Sequence, residues 1–383
     1  MASEDFQVFV KPVGATCNLA CRYCYYLEKQ TLYPEEVPWL MRPEILEEYI
    51  VQHIQASSGH DIFFSWHGGE PLIAGLPYFQ RIIELQQKHQ PENCRIVNGI
   101  QTNGTLLDEK WCRFLKRENF LVGISLDGPE QFHSENRLRK DRKSSFEEVM
   151  KGIQFLKSYQ ISYEILCVVH SQNVQYPMEV YRFFKNLNVE FLTFIPLVER
   201  LSADHNKVSE HTVPSKAFGE FLCTIFDEWK EKDIGKIKIQ IIEEVLRTAF
   251  NLDHTLCIFR KTCGRVPVVE RNGDFYSCDH FVDSAHRVGN IGQTSLSKLL
   301  ESPEQKAFGQ AKLITLPEYC LNCDFLSMCN GACPKDRFIN TPDGEPGLNY
   351  LCEGYKLFFN QCKPFVEEVA EVWNNKPLSN LSL

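Results

Sequence analysis

Cys17-Asn-Leu-Ala-Cys21-Arg-Tyr-Cys24, followed at once by Tyr25 and Tyr26, governs how the rest of the 383-residue chain is read. Three cysteines spaced three-then-two fit one turn of loop wrapped about a compact metal centre. Thiolates are the ligands of iron–sulfur clusters, and a cubane normally takes four of them. The fourth is missing locally, so one iron of such a cluster is left open to another ligand. A zinc knuckle, or three unrelated thiols, are the competing readings of the triplet taken alone.

Working outward, the triplet lies close behind a predicted strand, Phe6–Val13, with Phe6, Val8 and Val10 on one face. A helix is predicted over Arg42–Ser57, where Ile45, Tyr49, Ile50 and Ile54 recur at helical spacing. The alternation continues with strands Asp61–Trp66, Arg95–Gln101, Phe120–Leu126, Tyr163–Val169 and Glu190–Ile195. Between and after them fall helices Leu76–Lys88, Asp108–Glu118, Ser145–Tyr159, Pro177–Leu187 and one within Ser215–Lys230. Successive β–α units imply a parallel sheet with right-handed crossovers and helices outside. Six repeats rather than eight predict an α/β fold of the open, partial-barrel type.

In such barrels the chemistry sits at the C-terminal ends of the strands. The cysteine loop follows the first strand and His67-Gly68-Gly69-Glu70-Pro71 the second. Gln101–Gly104 follows the third and Ser125–Gly128 ends the fourth. His170–Asn173 follows the fifth, and Pro196–Arg200, with Leu197 and Val198, follows the sixth. Each alone reads equally well as a turn, because Gly, Asn, Asp and Pro are turn formers. Six on one rim, beginning with the cysteine loop, point to a ligand cavity. Gly68 and Gly69 allow a close backbone approach, and Ser125 offers a hydroxyl to a sugar. Arg137 offers a planar fork to a carboxylate, although Arg139, Lys140, Arg142 and Lys143 beside it read as a solvated loop.

The cysteines crowd again from Cys257. Cys257-x5-Cys263 leads through Gly273 to Cys278, then come Cys320, Cys323, Cys329, Cys333 and Cys352. Val266–Glu270 and Phe275–Cys278 flank Arg271-Asn-Gly273-Asp, a hairpin signal, and a C-terminal helix is predicted over Gly354–Trp373. Eight thiols suit two closed cubanes or two zinc sites, and spacing does not separate iron from zinc. Cys94, Cys112, Cys167, Cys223 and Cys362 stand apart and read as small buried hydrophobes.

The bulk numbers narrow the classes. A net charge of −9 argues against a nucleic-acid or membrane-surface partner. The acidic start, Met1-Ala-Ser-Glu-Asp, lacks the apolar core of a signal peptide, and no apolar run is long enough to span a bilayer. Sixteen cysteines in such a chain suggest metal binding in a reducing compartment, so a cytoplasmic location is expected.

Cys17-x3-Cys21-x2-Cys24 with the unaltered Gly68-Gly-Glu-Pro resembles the radical S-adenosylmethionine (SAM) enzymes. The string Cys263-x9-Gly273-x4-Cys278 … Cys320-x2-Cys323-x5-Cys329-x3-Cys333 … Cys352 is similar to their SPASM extension. Over nearly the whole chain the nearest resemblance is to anaerobic sulfatase-maturating enzymes. It is carried by Lys11–Leu19, Trp66–Leu72, Phe194-Ile-Pro and Cys278-Asp-His-Phe-Val282.

That resemblance implies a partial (β/α)6 TIM-type barrel over residues 1–200, a bridge over 201–250 and a SPASM half over 251–383. It implies SAM and three 4Fe–4S clusters, one on Cys17, Cys21 and Cys24. Cys257, Cys263, Cys278 and Cys333 would hold one auxiliary cluster, and Cys320, Cys323, Cys329 and Cys352 the other. SAM contacts are implied for Tyr23, Gly68, Gly69, Glu70, Ser125, Arg137, Leu197 and Val198. The implied reaction is oxidation of a Cys or Ser in a sulfatase polypeptide, within a Cys/Ser-x-Pro-x-Arg motif, to Cα-formylglycine. A flavodoxin or ferredoxin would supply the electron.

Asp279 matches the catalytic aspartate, with burial and neighbouring thiolates expected to raise its proton affinity. Capping a turn is its other reading. Tyr26 and His67 are candidate peptide contacts. Two alternatives stand beside this: a SPASM maturase that crosslinks short peptides, usually preceded by a leader-binding module, and a non-catalytic metal-binding scaffold.

Overall fold

In the computed structural model the described residues are 2, 5–33, 37–201 and 207–374. Residues 202–206 of the expected bridge lie outside them, as do Met1, Ser3 and Glu4 of the acidic start. The chain divides into two compact units. One comprises residues 1–126, 130–165 and 263–311; the other comprises 127–129, 166–262 and 312–383.

The first unit contains β1 (Phe9–Lys11), α1 (Pro43–Ala56), β2 (Asp61–Trp66), α2 (Leu76–His89) and β3 (Arg95–Thr102). It continues with α3 (Glu109–Arg117), β4 (Leu121–Ser125), α4 (Glu130–Asn136) and α5 (Phe146–Ser158). The division then falls within β5 (Tyr163–Val169). β1 to β4 pair parallel in chain order, with Phe9 opposite Ser65, Ile62 opposite Ile96 and Gly99 opposite Leu121. Alternating strand and helix leave no other economical sheet, because each crossover must return to the same end.

Helices cover the sheet through large aromatics. Tyr49, Phe64, Trp66 and Phe79 are fully buried, and Trp66 meets Phe79 and Tyr49 edge-on. The polar atoms inside are paired. Trp66 Nε1 donates to Asn98 Oδ1 at 2.8 Å, and Asn98 and Gln86 exchange hydrogen bonds at 2.8 and 2.9 Å. An unpaired group there would cost about 1–3 kcal/mol.

The hairpin near residue 270 serves a purpose that the sequence did not announce. β8 (Val268–Glu270) pairs parallel with β1, Phe9 opposite Val268 and Lys11 opposite Glu270. β9 (Asp274–Tyr276) and β10 (Arg287–Asn290) follow antiparallel. An open barrel leaves the outer edge of β1 unpaired, and an exposed apolar edge is a liability; β8 fills it. α9 (Leu296–Leu300) and α10 (Pro303–Ile314) complete this unit up to residue 311. Gln52 of α1 anchors α9, donating to Ile291 O at 3.0 Å and accepting from Leu296 N at 2.6 Å.

The second unit holds α6 (Pro177–Asn186), β6 (Phe191–Pro196), α7 (Ser215–Lys232), β7 (Lys238–Ile239) and α8 (Gln240–Ala249). It also holds two short turns of helix, α11 (Glu318–Leu321) and α12 (Leu326–Cys329), and the hairpin β11 (Arg337–Asn340) and β12 (Pro346–Asn349). α13 (Cys352–Asn374) ends it. α7 and α13 cross at two glycines: a Cβ on Gly354 would lie 2.1 Å from Ser215 O, and one on Gly219 would lie 2.5 Å from Gly354 O. Around that crossing Phe218 meets Tyr355, Phe226 meets Phe358, and Trp229 meets Phe365. Of the five isolated cysteines Cys112, Cys167 and Cys362 are buried, and Cys94 and Cys223 are half-buried. Among the described residues no helix is long and apolar enough to cross a membrane.

Candidate active site and cluster ligands

β1 ends at Lys11, and the chain turns at Gly14 (φ 54°) into the cysteine loop. That loop is clamped from two sides. Gly69 N donates to Gly14 O at 2.7 Å and Glu70 N to Thr16 O at 2.9 Å, fastening the loop after β2 to the residues just before Cys17. Gly69 is needed because its α-carbon faces that backbone: a Cβ would stand 2.2 Å from Thr16 O. The close approach its bareness permits is therefore to the protein's own chain, where the sequence suggested a ligand.

On the other side the loop after β3 supports the cysteines. Asn103 Nδ2 donates to Asn18 Oδ1 at 2.9 Å and reaches Cys17 Sγ at 3.8 Å, and Asn18 Nδ2 donates to Thr105 Oγ1 at 2.8 Å. Leu19 N also points at Cys17 Sγ, 3.4 Å away. Burial pushes the Cys17 thiol up to about 11; the hydrogen bond from Leu19 opposes this, and the charges of Glu70 and Cys24 add to it. A thiol so placed is held for a metal, which takes the proton's position when it binds.

Glu70 turns inward. Its carboxylate is fully buried and accepts from Leu72 N (3.0 Å), Thr102 Oγ1 (2.7 Å) and Asn103 N (2.7 Å), tying the β2 and β3 rim loops together. Burial raises it from 4.5 to about 7 against those hydrogen bonds. Ser125, at the end of β4, accepts from Gln101 Nε2 at 3.1 Å. Arg137 is buried, its guanidinium 5.5 Å from the centre of the Tyr23 ring, so two of the expected SAM contacts meet. Leu197 and Val198 follow β6 in the other unit, where Leu197 N donates to Val169 O at 2.8 Å.

Asp279 is gripped by Lys11, whose ammonium forms an ion pair with it, and by the Tyr25 hydroxyl, which donates to it. The expectation of a raised proton affinity is corrected here. Burial does push the carboxyl up, but Lys11, His280 and Tyr25 together hold it well below the ordinary carboxylate range. Lys11 also lies 3.3 Å over the Tyr26 ring, and the Tyr26 hydroxyl donates to buried Glu270. His67 stacks on Phe9 with ring centres 3.9 Å apart, and its backbone N–H donates to Val10 O at 2.8 Å. Burial, aided by Lys11, pushes its imidazole down to about 3, so it is neutral at physiological pH.

Lys11, Tyr25 and Glu270 are the functional candidates that the sequence reading missed. A signal existed: Lys11 and Glu270 are charges that close otherwise apolar strands at the rim where barrel chemistry occurs.

In the second unit Cys320, Cys323, Cys329 and Cys352 line one pocket, with Tyr319 and Lys356 among its walls. Burial pushes Cys329 up to about 12 and Cys352 up to about 11. Four thiols facing a common space match the donor set of a closed cluster. Cys333, pushed up to about 11 by burial and Asp336, is close enough to Cys257 to feel its charge. Cys263 and Cys278 belong to the first unit, where Cys263 N donates to Gly309 O at 3.1 Å. No group of three or more His, Cys, Asp or Glu among the described residues closes on a single metal ion.

Residues 12–184 match the Radical SAM superfamily, and residues 257–324 match SPASM, an iron–sulfur cluster-binding domain. The chain is 42% identical to the serine-type anaerobic sulfatase-maturating enzyme of Bacteroides thetaiotaomicron, over 99% of this chain and 95% of that one. It is 33% identical to the cysteine-type enzyme of Clostridium perfringens (strain 13 / Type A), over 95% of this chain and 98% of that one. A solved structure of native anSMEcpe with bound AdoMet and Kp18Cys peptide superposes with a TM-score of 0.87 at 32% identity. That match covers 96% of this chain and all of the other. The expected α/β architecture, a mostly parallel sheet with a SPASM iron–sulfur domain toward the C-terminus, is borne out.

Proposed function

The chain belongs to the radical SAM superfamily and, within it, to the anaerobic sulfatase-maturating enzymes, and from that membership we propose that it oxidises a cysteine or serine of a sulfatase polypeptide to Cα-formylglycine. The observation that carries the proposal is local. Within one unit the cysteine triplet, the Gly68–Pro71 loop and the Lys11–Asp279–Tyr25 cluster are assembled at the strand ends.

When bound, a 4Fe–4S cluster and SAM together supply a carbon-centred radical that removes a hydrogen atom from the substrate. Cys17, Cys21 and Cys24 would hold that cluster, and eight further cysteines would hold two auxiliary ones. Arg137 would pair with the SAM carboxylate and Tyr23 would flank its adenine, with Ser125 offering its hydroxyl to the ribose; Gly68 and Gly69 shape the loop beside the cluster. Asp279, kept ionised by Lys11, accepts the thiol or hydroxyl proton of the target residue, and Tyr25 and Lys11 fix its direction. His67, being neutral, presents a polar edge to the peptide without adding charge; Tyr26 holds Glu270 behind it.

The polypeptide partner carries a Cys/Ser-x-Pro-x-Arg motif, and a low-potential carrier such as flavodoxin or ferredoxin delivers the electron. A net charge of −9 supports a protein without nucleic-acid or membrane partners, and sixteen cysteines support a reducing, cytoplasmic setting. The radical SAM module corresponds to residues 1–200, the bridge to 201–250 and the SPASM half to 251–383, a division supported by the two family matches.

Anoxic incubation with SAM, dithionite and paired Ser- and Cys-containing peptides tests the reading. An aldehyde at the target residue of at least one peptide is expected, and Cys24→Ala should abolish both it and 5′-deoxyadenosine. Intact peptides beside vigorous SAM cleavage would refute it.

A further inference from the structure

We propose that the exposed hairpin at residues 138–144 is the docking surface for an acidic, low-potential one-electron carrier protein. The inference rests on the radical SAM reading, and it begins with where the hairpin is attached. Leu19 and Arg139 form an antiparallel bridge, Ala20 N donates to Leu138 O at 2.7 Å, and Arg22 N donates to Asn136 O at 2.9 Å. These are the residues on either side of Cys21. The hairpin is thus an added strand on the cluster loop itself, closed by Arg139 N to Lys143 O and Arg142 N to Arg139 O, both 2.9 Å.

Its charge is at odds with the rest of the chain. Arg139, Lys140, Arg142 and Lys143 are all exposed, with Asp141 the single acid among them. Arg139 is engaged, pairing with Glu148 and Asp141. Lys140, Arg142 and Lys143 form no ion pair among the described residues. Three unengaged cations therefore stand on a chain whose net charge is −9. Long cationic side chains left free around one loop form a local positive field, which attracts an acidic protein from a distance and orients it.

Ala20 and Arg22 are exposed, and Cys21 between them is half-buried, so the same face leaves the cluster loop close to solvent. A carrier seated there would give one electron to the cluster that Cys17, Cys21 and Cys24 would hold: the carrier would be oxidised by one electron and the cluster reduced by one, with no proton or bond exchanged. Electron entry thereby needs no passage through the protein interior.

The test exploits the fact that dithionite needs no docking surface. Lys140→Glu/Lys143→Glu and the neutral Lys140→Gln/Lys143→Gln leave every residue assigned to the clusters and to SAM in place. With photoreduced flavodoxin as the only electron source, the Glu pair should lower 5′-deoxyadenosine formation about tenfold or more, and the Gln pair by less. Wild-type affinity for oxidised flavodoxin, read by calorimetry without turnover, should fall as salt is raised, and the Glu pair should weaken it and flatten that dependence. With dithionite both variants should match the wild type. Equal flavodoxin rates in all three proteins would overturn the proposal, as would an equal loss with dithionite, which would mean that the hairpin merely shapes the cluster loop. If ferredoxin shows the charge dependence and flavodoxin does not, the surface stands and its carrier is of the iron–sulfur class. Failure of dithionite-driven cleavage in the wild type would instead refute the underlying reading.

Discussion

Gly69→Ala is the smallest change that probes how the cluster loop is held. A methyl group at position 69 would sit 2.2 Å from Thr16 O, 2.5 Å from Thr16 C and 2.7 Å from Ala15 O. All three are backbone atoms, so no side chain can swing away to make room. Contacts below 3.0 Å are essentially never tolerated, and relief requires roughly 1 Å of movement, at a strain of about 1–3 kcal/mol. The movement cannot stay local, because Gly69 N and Glu70 N are bonded to Gly14 O and Thr16 O, one residue from Cys17. A displacement of about 1 Å at a reacting centre costs on the order of 100-fold in rate. The assay is 5′-deoxyadenosine formation under dithionite by anoxically reconstituted protein, with iron counted in the same samples. Gly59→Ala is the control, since its Cβ meets nothing nearer than 3.6 Å. A Gly69→Ala protein with full iron and cleavage within about threefold of wild type would show that the clamp does not position the cluster, contrary to the usual cost of a misplaced centre.

Other consequences can be checked alongside. Glu70 keeps its proton to about pH 7 when folded and to about 4.5 when unfolded, so the folded state binds more protons between those values. Its contribution, at most roughly 3 kcal/mol, is full at the acid end and is lost as pH rises through 7. Glu70→Gln should remove that slope and leave Asn103 N–H facing an amide donor; melting of both proteins across this pH window will show whether their stabilities converge as pH rises. Asp279→Asn should leave SAM cleavage largely intact and suppress peptide oxidation by at least about 100-fold, as loss of a positioned base does; an undiminished aldehyde yield would remove Asp279 from the reaction. Gly354→Ala should destabilise the α7–α13 crossing by about 1–3 kcal/mol, because the added Cβ would stand 2.1 Å from Ser215 O; an unchanged melting temperature would contradict the packing.

Much of the barrel was legible because its signals are local. Asp61–Trp66 and Tyr163–Val169 are found residue for residue, since each is an apolar run ended by turn formers. Expected Phe6–Val13 shrinks to Phe9–Lys11 because only those residues find sheet partners, Phe9 and Val10 on both β2 and β8, and Lys11 on β8 alone. α4 carries only seven residues of pattern between a Pro and a run of charges, and α9, α11 and α12 are too short for periodicity to announce them. The site divides in the same way. The cysteine spacing and Gly68-Gly-Glu-Pro are contiguous and could be read directly. The Lys11–Asp279 pair joins residues 268 positions apart, and only the parallel docking of β8 on β1 creates it. No periodicity in one strand announces its neighbour, so a charge effect on Asp279 that depends on that pairing could not be anticipated from the thiolates beside it.

Hydrogen transfer from the substrate tests the central claim most directly. A sulfatase peptide deuterated at the β-carbon of its target residue, turned over under anoxic conditions with SAM and dithionite, should deliver deuterium into 5′-deoxyadenosine as the aldehyde appears. An aldehyde formed while 5′-deoxyadenosine stays free of deuterium would contradict it.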